Sequence, residues 1–210
     1  MIFTDRTDAA HRLAKRLVTY VTPQSLVLGL TRGGVLVAHV IASDLALSFA
    51  ALVVKKIPSP HNGELAIGAV APDDVIVLDT ELIRQLGVNE RYIHEEKRKL
   101  RSFINESMPL YQSQKFSSTL VGREVILTDD GIATGATFEA AMAWCRMIRV
   151  HRLIGAIPVA PRAVAARIRS LLDECIVLET PQDFQAVGQF YRNFAQVTDE
   201  EAVAVLRRSH

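Results

Sequence analysis

Two adjacent carboxylates, Asp129 and Asp130, stand between the apolar run Val125-Ile126-Leu127-Thr128 and the small-residue run Gly131-Ile132-Ala133-Thr134-Gly135-Ala136-Thr137. Successive side chains of a regular strand point to opposite faces, so two consecutive Asp inside a buried strand would drive one charge into the core. At the strand's end, where the chain leaves the sheet, that cost disappears. There the pair offers acceptors to vicinal hydroxyls or faces a hydrated metal ion. Gly and Ala in the loop beyond let the backbone come close to a ligand, and Thr134 and Thr137 add hydroxyls. The helix expected next turns its positive dipole end toward an anion. A sugar phosphate fits both halves: carboxylates for the diol, helix N–H groups for the phosphate. An Asp-rich turn with a helix cap is the plainer account, but thirteen consecutive residues of this chemistry outweigh it. Neither GxxxxGK nor GxGxxG is present, so this is not a Walker A loop or a Rossmann fingerprint.

A second concentration lies upstream. Gly29-Leu30-Thr31-Arg32-Gly33-Gly34 ends a short apolar run with an Arg beside two glycines. Lys55 and Lys56 end another such run, followed by Pro58, Pro60, His61, Asn62 and Gly63, which is loop chemistry. Phe184, Phe190, Tyr191 and Phe194 gather aromatics near the end of the chain, either as a small core or as a ligand-facing surface.

The elements that must hold these residues are short. Helices are expected over 5–21, 35–47, 138–149, 161–172 and 199–208, the last capped by Thr198. Strands are expected over 25–30, 49–54, 65–71, 75–78, 124–128, 153–159 and 175–178. The charge-dense stretch 89–115 reads as a long solvated helix with mixed signs at i,i+4 spacing. Alternating strands and helices call for α/β architecture with a mainly parallel sheet, whose ligands bind at the carboxyl ends of strands. Neither repeats nor low-complexity linkers divide residues 1–210, so one domain is expected.

Composition narrows the partners. The chain has 210 residues, 49% of them hydrophobic, and 24 Lys+Arg against 23 Asp+Glu. That apolar fraction excludes a disordered chain, and near-neutral charge argues against nucleic acid as the main partner. Cys145 and Cys175 lack metal-ligand spacing and read as buried free thiols of a cytoplasmic protein. No apolar run is long enough to span a membrane.

Val125–Thr137 resembles the ribose-phosphate motif of type I phosphoribosyltransferases, enzymes that use phosphoribosyl pyrophosphate (PRPP). Gly29–Gly34 occupies the place of that family's pyrophosphate loop. Further likeness to a bacterial subgroup of predicted phosphoribosyltransferases runs through Glu64–Val70, Ile157–Ala160 and Ala186–Tyr191, so the resemblance covers nearly the whole chain. It implies a three-layer α/β/α fold with a core at about 25–178 and a small hood from about 1–24 and 179–210. The charged helix at about 89–115 would be an insertion.

It also implies roles. Asp129 and Asp130 would hold the ribose hydroxyls directly or through water bound to Mg2+, the expected cofactor. Thr134, Gly135, Ala136 and Thr137 would cradle the 5′-phosphate, with Gly131 and Ala133 lining the turn. Thr31, Arg32, Gly33 and Gly34 would bind pyrophosphate. Lys55–Ala69 corresponds to the family's mobile loop, from which Lys55 or Lys56 would neutralise the leaving group and Glu64 would meet the acceptor or a metal. Phe190 and Tyr191 would face the acceptor. Two segments depart from the subgroup: Lys55-Lys56 replaces Arg-Lys, and Tyr111-Gln112-Ser113 replaces Tyr-Arg-Gly. The implied activity is Mg2+-dependent transfer of the 5-phosphoribosyl group to a small nitrogenous acceptor, in a protein able to form a homodimer. The competing expectation is a regulator that senses PRPP and binds nucleic acid or a protein; a hydrolase using the Asp pair for metal is a third.

Overall fold

Chain order sets the scaffold. In the computed structural model, which describes residues 2–111 and 116–207, the first half runs α1 (Arg6–Leu17), β1 (Leu26–Leu30), α2 (Gly33–Leu45), β2 (Ser48–Leu52), β3 (Lys55–Ser59), β4 (Asn62–Val70) and β5 (Ile76–Leu78). Three helices follow: α3 (Thr80–Leu86), α4 (Glu90–Tyr111) and α5 (Phe116–Leu120). Then come β6 (Glu124–Thr128), α6 (Ala136–Met147), β7 (Arg152–Val159), α7 (Arg162–Arg169), β8 (Glu174–Glu179) and α8 (Asp199–Arg207), with a single 3-10 turn at Val187–Phe190 before α8.

The central sheet is parallel throughout, in the order β2-β1-β6-β7-β8. Every residue of β1 and β6 is buried, as strands covered on both faces require. Alternation divides their side chains. Val27, Ile126 and Ile154 meet Leu13, Leu17, Ala38 and Ile41 of α1 and α2 on one face. Leu28, Leu127 and Leu153 meet Phe138, Ala141, Trp144 and Ile168 of α6 and α7 on the other. The three layers expected from the sequence are present.

A second, antiparallel sheet runs β3-β4-β5. Here the sequence reading needs correcting. Residues 55–63 read as a loop, yet Lys55–Ser59 pairs with β4 around a turn at Pro60 and His61. Pro58 is tolerated because β3 is an edge strand, and the register shifts on either side of it. Helix α3 was not expected, although Asp79 caps it by accepting from the Leu82 N–H and Gly87 closes it with φ +61°. Ile57, Ile67 and Val70 of this sheet share a core with Ile93, Ile104 and Tyr111 of α4 and with Ala202 of α8.

The two terminal segments meet. Phe3 bridges to Tyr191, its N–H donating to the Phe190 carbonyl at 2.7 Å, and the Arg192 N–H returns to the Phe3 carbonyl at 2.9 Å. Cys145 and Cys175 are both free thiols, pushed up by burial to about 12 and about 11. No helix of the described residues is long and apolar enough to cross a membrane.

Candidate active site at the carboxyl ends of β1 and β6

β1 and β6 are neighbours in register, Leu28 opposite Leu127 and Gly29 opposite Thr128. The loops leaving their carboxyl ends therefore meet. They meet closely enough to require glycine. A Cβ on Gly29 would lie 2.4 Å from the Gly34 carbonyl oxygen, and one on Gly34 would lie 2.9 Å from both Asp129 Cα and the Thr128 carbonyl oxygen. A Cβ on Gly33 would sit 1.9 Å from Asp130 Oδ2. So Gly33 and Gly34, expected to free N–H groups for pyrophosphate, also let the first turn of α2 pack directly on the Asp pair. Thr31 is tied back to β2 through its N–H and the Leu52 carbonyl at 3.1 Å, and the Thr31–Arg32 peptide is cis.

Asp129 and Asp130 differ in their surroundings. Asp129 is only partly exposed, and its Oδ1 accepts the Asp130 N–H at 2.8 Å. Burial raises its pKa well above the usual carboxylate range, and the neighbouring Asp130 adds to the rise. Burial raises Asp130 as well, but Arg6 works against it: Arg6 Nε lies 2.7 Å from Asp130 Oδ2. Arg6 is itself fixed from behind. Its Nη1 donates to the Ala195 carbonyl at 2.8 Å, and its guanidinium carbon stands 3.9 Å from the centre of the Phe194 ring. Tyr191 completes the enclosure by donating its hydroxyl to the Asp130 carbonyl at 2.5 Å.

This donor set does not make a cage for a resident metal ion. Asp129 Oδ1 and Asp130 Oδ2 are engaged by protein donors, and among the described residues no three His, Cys, Asp or Glu converge as metal ligands. What remains fits contact with the water shell of an ion that arrives with a substrate.

The 131–137 segment hangs from Ile132, which is buried and donates its N–H to the Val159 carbonyl at 2.9 Å. Ala133 and Thr134 are exposed, and Gly135 caps α6 with φ +91° and without a side-chain cap. The first N–H groups of α6, at Ala136 and Thr137, thus open toward the loop. Phe138 and Trp144 anchor the helix in the core. From α7, Arg167 donates Nε to Glu139 Oε1 and Nη2 to the Thr134 carbonyl, both at 2.6 Å.

The lysines separate. Lys55 is half-buried and its pKa is lowered, first by desolvation, with Asp199 opposing and Arg32 reinforcing the shift. Its ammonium lies 4.3 Å from the Phe103 ring of α4. Lys56, the next residue on the strand, faces the other side of the sheet. The structure thus groups Lys55 with Arg32, and α4 and α8 frame that group: the Tyr111 hydroxyl donates to Asp199 Oδ1, and Tyr92 donates to the Pro58 carbonyl at 3.0 Å. Gln112, Ser113 and the Glu64 side chain lie outside the described residues.

Phe190 and Tyr191 are buried in a cluster with Phe3, Ala9 and Val159. Their rings face other rings, Phe184 to Phe190 at 5.5 Å and Tyr191 to Phe194 at 4.9 Å, so Tyr191 reaches the site by its hydroxyl. Sequence reasoning missed Arg6, Arg167, Tyr111 and Asp199. Each acts across a long sequence separation, and nothing in its local sequence marks it.

Two anion-ready loops on adjacent parallel strands, with an acid pair between them, define the class. The phosphoribosyl transferase domain profile matches residues 4–194, and the chain belongs to that family. It is 39% identical over 212 residues to a Mycobacterium tuberculosis H37Rv protein named "Putative phosphoribosyl transferase Rv0571c", and equally to the counterpart MT0597 of strain CDC 1551. Those matches cover 100% of this chain but 47% of each relative, so the chain spans about half their length. Among solved structures, TT1426 from Thermus thermophilus is 33% identical with a TM-score of 0.76, covering 100% of this chain and 99% of that one. A purine phosphoribosyltransferase from Pyrococcus horikoshii, 14% identical over 92% of each chain with a TM-score of 0.50, shares the fold.

Proposed function

We propose that the protein transfers the 5-phosphoribosyl group of PRPP to a ring or amine nitrogen of a small acceptor, a nucleobase or related heterocycle. The bond from C1 of the ribose to the pyrophosphate oxygen breaks, a C1–N bond forms, and the acceptor nitrogen releases its proton. One observation carries the reading: the Asp pair stands at the end of β6, packed on the first turn of α2 from the neighbouring strand β1, in the loop that leads into α6.

Such a reaction builds positive charge on the sugar and negative charge on the leaving group, so positioning and electrostatics supply the catalysis. Asp130 would face the ribose diol, and Asp129, hydrogen-bonded to the Asp130 N–H, would hold the turn. The 134–137 N–H groups and hydroxyls would take the 5′-phosphate. Arg32 and Lys55 would take the pyrophosphate, with Gly33 and Gly34 giving it a close approach. Mg2+ would enter as the PRPP complex and spread the charge of the departing pyrophosphate. The antiparallel arm that carries Lys55 would exclude water over the donor. A cytoplasmic location and a homodimer belong to the same reading.

Calorimetric titration with PRPP and Mg2+, followed by pyrophosphate release over a panel of bases and amines, tests it. Binding and acceptor-dependent release are expected. PRPP binding without release for any acceptor would favour a PRPP-sensing regulator, and absence of binding would overturn the donor site altogether.

A further inference from the structure

Arg6 is a charged side chain from the first helix that the proposed chemistry does not require, yet its side chain is only 11% exposed. Burying a guanidinium is costly unless its donors are matched, and three separate features match this one. They are Asp130 Oδ2, the Ala195 carbonyl and the face of Phe194. One comes from the strand end and two from the tail. We propose that Arg6 is the positioning residue for the ribose-facing carboxylate, and that through it the grip on ribose depends on the tail at 190–195. This inference rests on the donor-site reading above.

The argument is geometric. Asp130 sits beside a second carboxylate, and its free rotation would bring the two together. Arg6 Nε takes Oδ2, and the Tyr191 hydroxyl holds the Asp130 carbonyl, so backbone and side chain are both fixed, and among the described residues no other side chain donates to Oδ1. Arg6 cannot drift with Asp130, because Phe194 backs its plane and Ala195 takes Nη1. The tail is in turn pinned to the start of the chain, the Asn193 N–H donating to the Thr4 carbonyl at 2.9 Å. The positioning is therefore assembled from both termini. The pyrophosphate loop has a different support: Thr31 is tied to β2, and Arg32 neighbours Lys55 on the side framed by α4 and α8.

The test compares two ligands that sample the two subsites separately, ribose 5-phosphate and pyrophosphate, each with Mg2+, by calorimetry. Arg6→Gln is expected to weaken ribose 5-phosphate at least tenfold and pyrophosphate less than threefold. Arg6→Lys, which keeps the charge but loses the planar fork, should recover part of the loss. Phe194→Leu should weaken ribose 5-phosphate by a smaller factor, with the same selectivity. The double variant Arg6→Gln/Asp130→Asn should bind ribose 5-phosphate no worse than Asp130→Asn alone, because the two residues act as one unit. Equal weakening of both ligands, or no rescue by Lys, would show that Arg6 only holds the terminal segment down, and the proposal would fall with the donor reading intact. A wild-type protein that binds neither ligand would overturn both.

Discussion

At the Asp-pair end of the 129–139 segment, Arg6 reaches Asp130 from 124 positions away, and the two side chains are 11% and 16% exposed. At its α6 end, Arg167 reaches Glu139 from 28 positions away with an equally short contact, but there the arginine is 52% exposed while the carboxylate is 18% exposed. The distances are nearly the same and the pairs are not. A buried pair whose partner is removed leaves an uncompensated charge, whereas a half-exposed pair is replaced by water at little cost. One segment therefore carries a fixed end and an adjustable one. Under the proposed function, that division suits orienting a ribose ring at one end and admitting or releasing a phosphate at the other.

The fixed end should fail first. Gly29→Ala puts a Cβ 2.4 Å from the Gly34 carbonyl oxygen, a backbone atom held by α2, so neither partner can give way without moving β1 from the helix. We expect a loss of about 3 kcal/mol, the upper part of the range for overpacking a core. A shift of the urea midpoint without a change in slope is the measure. A loss under about 1 kcal/mol would mean that the strand ends are not rigidly apposed, and the contrast between the two ends would lose its basis.

Next comes Tyr191→Phe. The hydroxyl donates to the Asp130 carbonyl, and the ring is packed against Phe3 and Phe194. The substitution keeps that packing and leaves a partly buried carbonyl without this donor, at a cost of about 1–3 kcal/mol. Equilibrium unfolding should show that loss, and ribose 5-phosphate should bind more weakly while pyrophosphate is little changed. Equal weakening of both ligands would remove the ribose end's claim to separate support.

Much of this site was legible because it is local. Two Asp at the end of an apolar run, followed by small residues and a helix, form one continuous segment, and the structure puts that segment at the strand end that the burial argument requires. The capped helix at 199–207 was legible for the same reason: Thr198 accepts from the Glu201 N–H and Glu201 from the Thr198 N–H. What escaped was long-range. Arg6 reads as one more charge in Asp5-Arg6-Thr7-Asp8, because its partner lies in another layer of the fold. The 55–63 hairpin escaped for the opposite reason. Pro58, Pro60, Asn62 and Gly63 are true turn signals, but an edge strand with shifted register accommodates a proline that a central strand would reject. Phe190 and Tyr191 show a third limit: the sequence marks an aromatic cluster without saying whether its faces meet a ligand or each other.

The smallest effect is expected at the adjustable end. Arg167→Gln removes a charge that makes two short contacts, yet its half-exposed position means solvent replaces both, and the loss should stay within about 1 kcal/mol. Glu139→Gln should cost a similar amount, and the two together little more than either alone, since each removes the same pair. Because Arg167 is open to solvent, about 1 M salt, which shortens the screening length to roughly 3 Å, should bring variants and wild type together. The Arg6 pair should resist that treatment. Thermal unfolding of the single and double variants at low and high salt reads all of these at once. A salt-insensitive loss well above about 1 kcal/mol for Arg167→Gln would show that the loop before α6 is braced as rigidly as the Asp pair. Under the proposed function, phosphate entry would then have to be accommodated elsewhere than in this loop.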